Sequence, residues 1–204
     1  MTRGDPIRAA RPRVERLRDA LLPAALGGVV ALVFTVPIAD TDLFWHLAYA
    51  GQMLERGTLV PDPTTYSWTP TSSDTIYCAW LGELLLHAVW RMAGWDGLFV
   101  LRYLLAFGCV ALVLRHARAS GLRSGPAVVA IVTIAMLATA PVMRNLKPEM
   151  LSVALTWCVL GLYAEARRLD LAGRPSARWW WAVPIVLLAR ANTHGGFLIV
   201  APVL

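Results

Sequence analysis

Residues 20–39 form a run of twenty without a single charged side chain. As a helix that run is about 30 Å long, the thickness of the hydrocarbon core of a bilayer. Further apolar blocks follow over 97–117, 125–142 and 150–166, and another rises from Trp179. Inside a bilayer each backbone N–H and C=O must be satisfied by the protein itself, so separate blocks of this length fold as helices packed on one another. Composition agrees: 57% of the 204 residues are hydrophobic and 16% charged, against about 45–50% and about 25% in a soluble domain. A soluble enzyme, a disulfide-knit module and a disordered tail are excluded. The expected fold is all-α, a polytopic transmembrane bundle of five to six spans with an outer-face loop that contains interfacial helices.

The basic residues set the expected orientation. Six arginines fall within residues 1–19, and further bases gather at Arg115, His116, Arg118 and Arg123, and at Arg167, Arg168, Arg174 and Arg178. Short basic segments between spans stay in the cytoplasm. Residues 1–19 are therefore expected as a cytoplasmic tail and 20–39 as a retained first span, too long and too poorly ended for a cleaved signal. Residues 40–79 carry five acids and one base, Arg56, which predicts the outer face. The 80–94 segment is only about 21 Å long as a helix and carries Glu83, His87 and Arg91. Placing it in the outer interface keeps the Arg115 cluster cytoplasmic. The outer loop then spans 40–96, with interfacial helices at about 43–56 and 80–94, and 97–204 forms the remaining bundle. The chain stops at Leu204 inside an apolar run, as a fragment would. The expected location is the inner membrane of a bacterium. The net charge of +6 belongs to this sidedness signal rather than to a nucleic-acid groove. Cys78, Cys109 and Cys158 have no metal or redox spacing.

On this topology the polar exceptions collect at the outer boundary: Asp40, Asp42, His46, Glu83, His87, Arg144, Lys147, Glu149, Arg190 and His194. Ionisable groups at membrane depth pair with one another or serve a site. Each has an ordinary reading as well. Asp42 suits the N-cap of a 43–56 helix, Glu83 can pair with His87 one turn on, and Pro148-Glu149 is a standard helix start. Leu43, Leu47, Ala50 and Leu54 make an apolar stripe suited to a helix lying on the bilayer. The chemical reading is that Asp40 and Asp42, with His46, suit a divalent cation or a base beside one. Arg144, Lys147 and Arg190 suit a phosphate.

The order of these features resembles bacterial multi-span glycosyltransferases of the C-type superfamily, the group of protein O-mannosyltransferases and the aminoarabinose transferase of lipid A. The matching elements are Asp40-Thr41-Asp42-Leu-Phe-Trp45-His46-Leu, Pro61-Asp62-Pro63-Thr64-Thr65-Tyr66-Ser67, Trp80-Leu81-Gly82-Glu83, Arg144-Asn-Leu-Lys147-Pro148-Glu149 and Ala191-Asn192-Thr-His194-Gly195-Gly196. Lys147 stands where an arginine is common in that group. The resemblance implies inverting transfer of a sugar from a polyprenyl-phosphate donor to a cell-envelope acceptor at the outer face. Asp40, Asp42 or Glu83 would be catalytic, and Arg144, Lys147 and Arg190 would hold the phosphate. His46, His87, Asn192 and His194 would support them, and a Mg or Mn ion would sit on Asp40, Asp42 and His46. Partners would be the bilayer, the lipid-linked sugar and an acceptor, with no nucleic acid. The competing readings are a transporter or flippase for a lipid-linked or anionic solute, and a non-catalytic membrane subunit of the same fold.

Overall fold

The computed structural model describes residues 25, 27–31, 33–35, 41–61, 77–119 and 126–195, without the side chains of 126–129 and 143. Every regular element among them is helical. An N-terminal helical segment (within 25–34) is followed by α1 (Asp42–Arg56), α2 (Trp80–Ala119), α3 (Pro126–Arg144), α4 (Pro148–Leu171) and α5 (Ala177–Ala191). Two helical stretches, Trp80–Ala117 and Pro148–Leu171, are long and apolar enough to cross a membrane, and a shorter apolar one covers Ala130–Val142. Only 39% and 28% of their most apolar windows are buried, which is not how a core helix of a soluble protein sits. The outer faces are apolar instead: Val100, Leu104 and Phe107 on α2, Ile131, Ile134 and Leu137 on α3, and Trp181, Ile185 and Leu188 on α5 are all exposed. Exposed apolar faces of this kind mark surfaces that meet lipid or another protein.

The decisive feature is a corner in α2. Gly94 has φ 57° and ψ −145°, a backbone region essentially closed to residues with a Cβ. Residues 89 and 97 would lie about 12 Å apart along a straight helix. Here a Cβ built on Gly97 would lie 3.2 Å from the Val89 carbonyl oxygen. The element is therefore two helices, α2a before Gly94 and α2b after it, as the separate 80–94 and 97–117 helices of the sequence reading require.

The contacts at the two halves define the ends of the bundle. Leu81 N–H donates to the Asn192 carbonyl at the end of α5 (3.0 Å), and Gly82 abuts Pro148 at the start of α4. Arg102, early in α2b, donates to the Arg144 carbonyl at the end of α3 (3.2 Å) and to Phe34 O (2.6 Å). Both halves of α2 thus begin at one end, where α3 and α5 finish and α4 starts. Arg115, late in α2b, lies 6.0 Å from the Trp179 ring at the start of α5, which is the opposite end. So α2a lies across the first end and α2b runs away from it.

α1 packs on α2a. Leu43, Ala50 and Met53 are buried, while Phe44, Trp45 and Leu54 are exposed. The expected stripe of Leu43, Leu47, Ala50 and Leu54 is thus only partly the packed face, and it faces protein rather than lipid. Met53 replaces Leu54 because α2a claims that side of the helix. One core cluster links the N-terminal segment to α1, α2, α3 and α4 through Phe34, Leu43, Leu86, Leu98, Val132 and Met150, all fully or nearly fully buried. Val159 and Val183 join α4 to α5.

Candidate functional site

Several of the polar residues singled out in the sequence meet where α1, α2a, α4 and the end of α5 converge. Lys147 precedes α4 with an extended backbone, and Pro148 opens that helix, where its missing N–H costs nothing. The extended residue carries its amine out to α1, and Lys147 Nζ donates to Asp42 Oδ2 at 2.6 Å. Asp42 is not the N-cap of α1. It is the first helical residue, after Thr41, and Thr41 makes no side-chain capping bond. The carboxylate is drawn to the amine instead, a charge-assisted bond that a backbone N–H cannot match. The hydrogen bond and charge of Lys147 hold the Asp42 carboxyl below the ordinary aspartate range. The Asp42 side chain remains 54% exposed and that of Lys147 22%, so the pair is accessible.

A second group lies behind it. Glu83 is fully buried; its Oε1 meets His46 Nδ1 at 2.7 Å and accepts from the Tyr77 hydroxyl. Burial, and then the bond to Glu83, push the Tyr77 phenol far up, so it stays a donor. Glu83 Oε2 has no hydrogen-bond partner among the described residues, an arrangement that costs free energy unless something else meets it. The Glu83–His87 pairing expected from helical spacing is not made. His87 Nδ1 donates to the Leu47 carbonyl at 3.0 Å, because α1 packs against that turn of α2a.

The remaining candidates brace these helices. Asn192 accepts from Trp80 Nε1 at 2.8 Å and donates to the Leu188 carbonyl at 2.8 Å. His194 Nε2 lies 3.2 Å from Glu149 Oε1. Gly82 is hemmed in by the Pro148 ring and by Thr193, so α2a, α4 and α5 share one contact point. Arg190 is buried and donates from Nε to Thr156 Oγ1 at 2.8 Å. Arg144 donates from Nε to the Val33 carbonyl at 2.9 Å. The three expected phosphate ligands thus lean on three different supports, and Lys147 is joined to a candidate carboxylate, Asp42.

Asp40 lies outside the described residues. Of the expected metal set, Asp42 bonds through Oδ2 to Lys147 and His46 through Nδ1 to Glu83. No group of three His, Cys, Asp or Glu side chains suited to a metal occurs among the described residues. Tyr77, Gly82, Thr156 and Thr193 carry contacts the sequence reading missed. Only Gly82 left a trace, as an isolated glycine in a helical pattern, which signals close packing.

No known family model, curated protein or solved structure matches this chain.

Proposed function

We propose that the chain is an integral membrane glycosyltransferase of five to six spans. It would sit in the bacterial inner membrane with its N-terminus in the cytoplasm and take a polyprenyl-phosphate-linked sugar at the outer face. The observation that carries this reading is the accessible Asp42–Lys147 pair, which sets an ionised carboxylate beside an ammonium at one end of an apolar bundle. A donor whose tail stays in the bilayer brings its phosphate to that depth. Lys147 would pass from Asp42 to the phosphate and so release the carboxylate. Asp42 would then take the proton from an acceptor hydroxyl as its oxygen bonds to the anomeric carbon. The bond from that carbon to the phosphate oxygen breaks, with inversion, and Lys147 stabilises the charge gathering on the departing phosphate. Glu83 is too deeply buried to reach an acceptor in this arrangement. Its part would be to position His46 and, through it, α1.

The test uses the purified chain in lipid nanodiscs with a short-chain polyprenyl phosphate as binding probe and its hexosyl derivative as donor. Lys147→Gln is expected to weaken probe binding roughly tenfold or more, as loss of a charge-assisted bond implies. Asp42→Asn should bind the probe at least as well and lose roughly a hundredfold or more in sugar release from the donor. Full sugar release by Asp42→Asn would sink the transfer mechanism. Probe binding unaffected by Lys147→Gln would remove the phosphate site. A single cysteine at Lys147 that labels from outside, with one at Arg118 that does not, is the result the sidedness requires.

A further inference from the structure

At the end of the bundle remote from Asp42 and Lys147, α4 turns into α5 through residues 172–176. A cavity of about 390 Å³ opens there, lined by Leu169, Arg174, Pro175, Ala177 and Arg178. Among the described residues, two acids of this end have partners of their own. Asp170 accepts from the Ser176 hydroxyl and from Trp180 Nε1 (2.7 Å), and Glu165 takes both oxygens to Arg168 at 2.9 and 2.8 Å. Among the described residues neither Arg174 nor Arg178 has a carboxylate within ion-pairing distance. The Arg178 guanidinium lies 5.2 Å from the Trp179 ring, which Arg115 also approaches, so a third cation stands behind the pair.

A stripe of opposite character starts beside the cavity. Trp181, Ile185 and Leu188 are 73%, 67% and 66% exposed, and their four- and three-residue spacing puts them on one face of α5. Two arginines that make no ion pair among the described residues, at the head of an exposed apolar ridge, suit one kind of molecule. Its anionic head must be joined directly to hydrocarbon. Basic pockets beside membrane helices hold anionic headgroups in this way, and guanidinium suits a phosphate better than a point charge would.

We propose that this cavity binds the phosphate of an anionic phospholipid, with Arg174 and Arg178 on the phosphodiester and an acyl chain along Trp181, Ile185 and Leu188. The site rests on the membrane reading of the bundle and is independent of the transfer reaction. The test is native mass spectrometry of the purified full chain, titrated with phosphatidylglycerol and with phosphatidylcholine of the same acyl chains. Phosphatidylglycerol should bind roughly tenfold more tightly, and up to about thirtyfold if both interfacial arginines contribute in full. The double substitution Arg174→Gln/Arg178→Gln should remove that preference, and Arg167→Gln/Arg168→Gln should keep it. Equal binding of the two lipids, a preference that survives the first double variant, or one lost equally in the second overturns the proposal. Displacement by inorganic phosphate alone would indicate a bare anion site and overturn it too. Should the first variant fail to fold, the native chain decides. Phosphatidylglycerol carrying a photoreactive acyl chain should mark the peptide holding residues 181–188, and marking confined to other peptides refutes the site.

Discussion

Gly82 offers the sharpest test of how the candidate site is assembled. A Cβ at this position would lie 2.8 Å from Pro148 Cβ, 2.9 Å from the Thr193 carbonyl oxygen and 3.0 Å from Thr193 Cγ2. Two of these neighbours belong to a ring and to the backbone, which cannot swing aside. Gly82→Ala therefore has two opposed effects. Alanine favours the helix by about 1 kcal/mol, while overpacking a close contact costs about 1–3 kcal/mol. Gly108 supplies the control, since it lies in α2b and nothing comes within 4 Å of a Cβ built there. Gly108→Ala keeps only the favourable effect and should be neutral or stabilising. The two variants should differ by about 1–3 kcal/mol, which at roughly 2–4 °C per kcal/mol for a chain of this size separates their thermal midpoints by several degrees. Thermal unfolding in one detergent, followed by exposure of buried Cys109 to a thiol-reactive dye, measures that difference. Gly82→Ala as stable as Gly108→Ala would refute the contact between α2a, α4 and α5, and with it the shared platform for Asp42, Glu83 and Lys147.

Two further outcomes follow from the same geometry. Gly94→Ala should destabilise the chain by about 1–3 kcal/mol, since φ 57° with ψ −145° is closed to alanine; an unchanged thermal midpoint would mean that α2 does not turn there. The Asp42 carboxyl, depressed by Lys147, contributes through this pair at pH values above the ordinary aspartate range, and that contribution is lost as pH falls through the lowered midpoint. Carboxyl ¹³C NMR of labelled protein in micelles should show Lys147→Gln moving the Asp42 midpoint up toward the ordinary range, and a midpoint that does not move would show that the pair is absent in solution.

Much of the architecture was legible in residue order because membrane helices satisfy their hydrogen bonds locally. The apolar blocks marked helices, Pro148 marked the start of α4, and the stretch around Gly94 marked a break between two of them. The structure brings Asp42 to Lys147, His46 to Glu83 and Glu149 to His194, six of the residues singled out in the sequence. What the periodicity could not supply was which polar groups would touch. Helical spacing proposed Glu83 with His87, and an N-cap role for Asp42. Both lost to partners far along the chain, His46 and Lys147, because the rotation of α1 against α2a and α4 is set by how Leu43, Leu86 and Met150 pack together. Tyr77 reaches Glu83 from a segment with no helical pattern to announce it, and Gly82 matters only because Pro148 and Thr193 arrive from two other helices. Local backbone chemistry determined the helices and their ends. The close packing of four of them decided which carboxylate is buried, which is exposed and which cation it meets.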